Sequence, residues 1–172
     1  MKAITSKELG PPLGMYSHGM RAPAGEIVVV AGQVGMDARG RLAGPGDVAA
    51  QTRQAFENIR AVLAAAGCTM RDVIRFQTFL THASDIDGFM KARREMFPTY
   101  YPDDVYPPNT ILVVSRLVQP ELLVEIEAMA VKPPARDVVK AGAASGKRVA
   151  ARATLVRSVK GRRKAGPSTR RR

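Results

Sequence analysis

Cysteine is almost missing from this chain of 172 residues, where Cys68 stands alone. A single thiol forms no intrachain disulfide and no Cys-cluster zinc or iron–sulfur site. His18 and His82 are the only histidines, too few for an all-protein catalytic zinc site. No metal is therefore expected. Trp is absent. No apolar run approaches the roughly 20 residues that span a bilayer. The opening segment, MKAITSKELGPPLG, has no apolar signal core. The expectation is a cytoplasmic protein without membrane contact.

Acidic residues are missing from one part of the chain. Of 27 Lys+Arg and 15 Asp+Glu, residues 1–133 hold 14 of each, so that stretch is neutral. Residues 134–172 hold 13 Lys+Arg against Asp137 alone, and so carry the whole net charge of +12. This stretch has few large aliphatic residues and no aromatics, so it cannot bury enough apolar surface to offset chain entropy. The chain divides into a domain over 1–133 and a basic, disordered tail over 134–172. The Pro133-Pro134 pair marks the boundary. Such a tail suits non-specific contact with nucleic-acid phosphates, but without aromatics it offers no base stacking.

Within the neutral part, strands and helices alternate. Glu26–Ala31 is a β-branched run that reads as a buried strand, and Tyr16–Arg21 as a weaker, earlier one. Asp47 is an N-cap for a helix over about 47–66. Val48, Ala55, Phe56, Ile59, Val62, Leu63 and Ala66 follow at helical spacing, and Gly67 closes it. Val73–Leu80 is a strand. Ser84 and Asp87 resemble a capping box for a second helix that Pro98 would stop. Asn109–Val114 and Leu122–Val131 are further strands. This order suggests an α+β fold with both helices on one sheet face.

Two irregularities hint at function. In the last strand, Leu122, Val124, Ile126, Ala128 and Ala130 form a plain core face. The opposite face mixes Glu125 and Glu127 with Leu123, Met129 and Val131. The apolar run Ile27–Ala31 also implies burial on both faces. Two helices cover one side of a small sheet, so self-association is the simplest cover for the other, with Glu125 or Glu127 near a subunit boundary. In the second helix the apolar stripe 86, 89/90, 93, 96/97 is broken by Arg93. That arginine either snorkels outward or meets an anion.

Several segments resemble the RidA/YjgF family of reactive-intermediate deaminases, some of which are labelled translation inhibitors or endoribonucleases. They are Gly14-Met15-Tyr16-Ser17, Val30-Ala31-Gly32-Gln33-Val34, Gln51-Thr52-Arg53-Gln54, Glu57-Asn58-Ile59, Ala65-Ala66-Gly67, Asp72-Val73, Phe79-Leu80-Thr81, Asp85-Ile86-Asp87-Gly88-Phe89 and Val124–Val131. They run in colinear order over about residues 12–132. The resemblance implies a chorismate-mutase-like domain, a mixed sheet with two helices on one face. It implies a homotrimer whose sheets line an inner barrel, with a small-molecule cleft at each subunit interface. The implied reaction is hydrolysis of 2-imino or enamine acids to 2-keto acids and ammonia, without a cofactor.

Carried over by position, Tyr16 matches the family's pocket tyrosine and Gly32 the glycine of the strand segment. Ala31 stands where a serine is usual. Glu125 matches the glutamate that positions the attacking water, the one catalytic residue expected here. The arginine that grips the substrate carboxylate in a Pro-x-Arg-Ser/Thr segment falls at Asn109, within Pro107-Pro108-Asn109-Thr110. Asparagine brings neither charge nor a bidentate fork. Arg93 aligns where the family usually has asparagine, which suggests that the guanidinium has moved rather than vanished. Arg116 is a weaker substitute. His18 and Cys68 read as a surface histidine and a small residue packed in a turn. Two other readings stay open. One is a non-catalytic trimer that binds a small carboxylic acid, and the other an RNA-associated protein acting through its tail.

Overall fold

The computed structural model describes residues 1–132 and Pro134. The tail expected from the charge split lies outside the described residues. A short antiparallel pair joins β1 (Lys2–Ile4) to β2 (Gly19–Arg21). The main sheet contains β3 (Glu26–Val34), β4 (Val73–Leu80), β5 (Asn109–Val113) and β6 (Val124–Lys132), in the order β3-β6-β4-β5. β6 is antiparallel to both its neighbours, while β4 and β5 run parallel, so the sheet is mixed. Helices α1 (Val48–Ala65) and α2 (Ile86–Tyr100) pack on one face. The chain is thus a mixed α+β fold with two helices over a sheet.

Helix α1 forms as its sequence requires. The Asp47 carboxylate accepts from Ala49 N at 2.9 Å and Ala50 N at 3.0 Å, satisfying two of the free amides at the helix start. Gly67 ends the helix at φ +74°, a left-handed conformation costly for any residue with a Cβ. Ala55, Phe56, Ile59 and Leu63 are fully buried, whereas Val62 lies at the exposed edge of the stripe. Phe56 meets Phe97 of α2 and Phe76 of β4 edge-on, with ring centroids 5.3 and 5.6 Å apart. This aromatic contact welds both helices to the sheet.

One buried polar residue of α1 fixes the approach to β6. Gln51 is fully buried, donates to Glu121 O at 3.0 Å and accepts from Leu123 N at 2.9 Å. Its amide replaces the strand partner that this stretch lacks just before β6 begins. Gln51→Leu strands both backbone groups away from water. The expected loss is about 2 kcal/mol or more, read as a lower midpoint in urea with an unchanged slope.

Three local expectations need correction. The weak strand over Tyr16–Arg21 shortens to β2, because its partner β1 pairs only with Gly19–Arg21. The Ser84–Asp87 capping box does not form: residues Ala83–Asp85 make one 3₁₀ turn, and Asp85 occupies the N-cap without a side-chain hydrogen bond. The box instead appears at Thr69 and Asp72, before β4. Pro98 does not stop α2, which continues to Tyr100 and closes with Tyr101 N donating to Phe97 O at 2.7 Å. A proline in the last turn removes one donor, and the remaining bonds of that turn outlast it.

Within one chain the burial of Ile27–Ala31 is one-sided, because both helices lie on the same face of the sheet. Val30 is buried, but Ile27 is 65% and Val29 68% exposed, and Ala31 is exposed too. β6 shows the expected alternation. Val124, Ile126, Ala128 and Ala130 are buried under the helices, while Glu125, Glu127 and Met129 face outward. A single chain therefore displays a β-branched sheet face to water.

Candidate functional site

The segment before β2 folds back over α2. Met15 and Tyr16 follow a tight turn, with Tyr16 N donating to Gly14 O at 2.8 Å, and Ser17 Oγ donates to Tyr106 O at 2.6 Å. The Tyr16 hydroxyl accepts from Leu13 N at 3.3 Å. Between this segment, α2 and the start of β5 opens a groove of about 410 Å³, lined among others by Leu13, Tyr16, Met90, Arg93, Asn109 and Ile111. Three of the residues singled out by sequence thus share one wall-to-wall space.

Arg93 is the least ordinary of them. Its side chain is 1% exposed, so it does not snorkel. Met15 O accepts a hydrogen bond from its Nη2, and Met90 Sδ lies 3.8 Å from Nη1. The guanidinium lies over the Phe97 ring at 4.4 Å and near Phe89 at 5.6 Å. Cation–π contact offsets part of its desolvation. Among the described residues no carboxylate pairs with it, and its Nε has no partner. Burial accordingly pulls its pKa down to about 10. The structure therefore carries a buried, uncompensated cation at the groove floor. That is costly to maintain and electrostatically poised for an anion.

Asn109 opens β5. Its Oδ1 accepts from Thr78 Oγ1 at 3.1 Å, and Thr78 is fully buried on the helix side of β4. Asn109 therefore points to the helix side, like Arg93. Thr78 was not singled out by sequence; a buried threonine on a core face is the sign that would have marked it. Arg116 lies apart from the groove, donating to Leu117 O and Val118 O.

Glu125 lies on the other face of the sheet. In register it sits beside Phe79 of β4 and Val34 of β3, while Asn109 shares a row with Phe76, Ala128 and Val30. Three residues and two strands separate them, roughly 14 Å along the sheet, and the sheet itself stands between. Ala31 and Gly32 belong with Glu125: the β3–β6 register slips between Val30 and Gln33, and this bulge carries both. The six predicted residues thus fall into two groups in one chain. Tyr16, Arg93 and Asn109 line the groove, and Ala31, Gly32 and Glu125 lie on the outer face.

The remaining candidates are structural. Cys68 is buried beside the α1 cap, and burial pushes its thiol up, away from the reactive thiolate. His18 is half-buried rather than a surface residue, and its Nδ1 is enclosed without a hydrogen-bond partner.

Comparison with known proteins agrees with this architecture. The family model described as Endoribonuclease L-PSP matches residues 6–132. A RutC family protein of Pyrococcus horikoshii is 37% identical over 133 residues, covering 77% of this chain and 99% of its own. The 2-iminobutanoate/2-iminopropanoate deaminase of Escherichia coli K12 is 30% identical over 132 residues, covering 76% and 98%. A solved Rid-family structure from Yersinia pestis superposes with a TM-score of 0.67 at 30% identity, over 76% of this chain and 98% of that one. A two-helix α+β domain with a largely apolar groove beside its edge strand β5, holding Arg93 and Asn109, is the class of protein seen here. The chain belongs to the RidA/YjgF family, as the resemblance implied. No helix among the described residues is long and apolar enough to cross a membrane.

Proposed function

We propose that this protein hydrolyses 2-imino acids, formed directly or from their enamine tautomers, to 2-keto acids and ammonia, at sites shared between neighbouring copies in a homotrimer. The observation that carries the reading is the split site. A groove whose buried cation has no carboxylate partner among the described residues and the outward-facing Glu125 lie on opposite sides of one sheet. Only a second copy can bring Glu125 to the groove, and the exposed Ile27–Val29 face is the apolar surface such a copy would cover. The relatives named as imine deaminases support the chemistry.

In this reading the substrate carboxylate meets the Arg93 guanidinium, with Asn109 as a neutral partner and Tyr16 closing the groove. Water adds to C2 of the protonated imine while Glu125 accepts the proton that water gives up, and the imine nitrogen becomes an amine. The carbinolamine then collapses: Glu125 returns that proton to nitrogen, the C2–N bond breaks as the hydroxyl passes its proton to the freed carboxylate, and ammonia leaves a C2 carbonyl. Imine hydrolysis is facile, so positioning water and substrate supplies most of the rate. The decisive experiment follows ammonia and keto acid release from freshly generated 2-aminoacrylate, alongside sedimentation of the same sample. Turnover by a trimer supports the reading; binding of the acid without turnover points instead to a ligand-binding trimer, and a lone chain in solution overturns both.

Arg93→Met gives a second expected result. Removing the cation raises KM on the order of 100-fold while kcat changes little. Equal KM values would return the carboxylate contact to Asn109.

The charge split carries a second reading. The +12 of residues 134–172 suits a non-specific nucleic-acid arm. Full-length chain is expected to retard RNA and DNA at low salt and to release them steeply as salt rises. Equal retardation by a chain ending at Pro133 would assign the binding elsewhere.

A further inference from the structure

At the β3–β6 bulge, the backbone of Gly32 lies directly beneath the Glu125 side chain. A Cβ at position 32 would stand 1.8 Å from Glu125 Oε1, 2.6 Å from its Cδ and 2.8 Å from its Cγ, the three closest atoms it would meet. Gly32 is not at a positive φ, so an alanine there meets no backbone strain. The three nearest contacts of such a side chain thus all fall on Glu125. This separates Gly32 from Gly25 and Gly35. Gly25 abuts backbone at Lys132 O, and Gly35 abuts the Cα of Gln51; both hold strand and helix together, whereas Gly32 faces the working end of an acid.

We infer that Gly32 is a positioning residue: its missing side chain is the berth in which the Glu125 carboxylate lies, across the bulge and toward the Ala31–Gly32 backbone. The bulge contributes by adding one residue on β3 opposite β6, which re-aims the local backbone under the acid. In the family resemblance Gly32 stands among substrate-pocket residues; here it acts through Glu125 rather than by touching substrate. The inference rests on the reading of Glu125 as water-positioning acid, but its geometry is independent of that reading. The clashing atoms are the far half of a flexible side chain, so Gly32→Ala displaces the carboxylate by rotation and leaves the fold standing.

The test is a four-protein cycle of wild type, G32A, E125A and G32A/E125A, assayed with freshly generated 2-aminoacrylate and by thermal melting, with a crystal structure of G32A. Displacing a reacting group by about 1 Å costs on the order of 100-fold, so G32A is expected to lower kcat by that factor with KM nearly constant. Adding G32A to E125A is expected to change neither residual rate nor melting temperature, because the atoms it would strike are gone. Wild-type kcat in G32A beside an inactive E125A overturns the inference. So does a melting loss equal in both backgrounds, which would place the clash on the scaffold. If E125A keeps full activity, the reading of Glu125 fails on its own. The crystal structure then decides for Gly32: a displaced carboxylate sustains it, and an unmoved one overturns it.

Discussion

Glu125→Gln is expected to lower kcat for 2-imino acid hydrolysis by 10²- to 10⁴-fold with little change in KM, the range for loss of a positioned proton acceptor. The substitution keeps the side chain's shape and its place over Gly32 and removes only basicity and charge. In the structure Glu125 projects from the outer face of β6 with Phe79 beside it, and its removal disturbs no core contact, since Val124 and Ile126 do the packing on the helix side. Melting temperature is therefore expected to stay within a few degrees. A drop in kcat at constant stability assigns chemistry to the carboxylate. An unchanged kcat would leave water activation without a protein base, and the pocket would then act by binding alone.

Val29→Asp is expected to have the second large effect, on assembly and activity together. Val29 is 68% exposed in a single chain and flanked by Met129 on β6. A carboxylate there is hydrated in the isolated chain, so the fold persists. In an assembly that covers this face, each copy would bury an unpaired charge, at a cost of several kcal/mol per site. Sedimentation is expected to show single chains, and turnover is expected to fall at least as far as in Glu125→Gln, because the two half-sites separate. A variant that remains trimeric would show that another surface holds the copies together. A variant that dissociates yet keeps turnover would show that one chain suffices, contrary to the separation of Glu125 from Asn109 by the sheet.

These two results bear on why Arg93 is tolerated where it is. A guanidinium buried against Phe89 and Phe97 without a carboxylate costs stability. Its bond to Met15 O returns part of that cost by tying the Tyr16 segment to α2. The same bond explains why the arginine is neither a snorkelling surface residue nor a free ligand-binding fork. In the proposed function it is a cation held in place before the substrate carboxylate arrives, as preorganised recognition requires.

Most of the elements and the family are legible in residue order alone. Hydrophobic spacing and caps specify α1 from Asp47 to Gly67. β-branched runs specify β3, β4 and β6, and colinear motifs specify the RidA/YjgF membership. These features are local, and each residue's preference agrees with its neighbours'. What the sequence could not carry was partnership across distance. β1 was missed because three residues have no period, and only β2 makes them a strand. The capping box expected at Ser84 does not form because Ala83–Asp85 make a 3₁₀ turn, and the box at Thr69 was not anticipated. Arg93 stayed ambiguous because a break in a stripe shows that something must compensate, without saying what; Phe97 and Met15 O are 4 and 78 positions away. The six candidate site residues could be named from the sequence, but their division between two faces was decided by strand order. β6 inserts between β3 and β4, placing Glu125 on the outer side while Thr78 turns Asn109 inward. Side-chain periodicity is a property of one strand, whereas a site is a property of several, and their arrangement exists only once the sheet has formed.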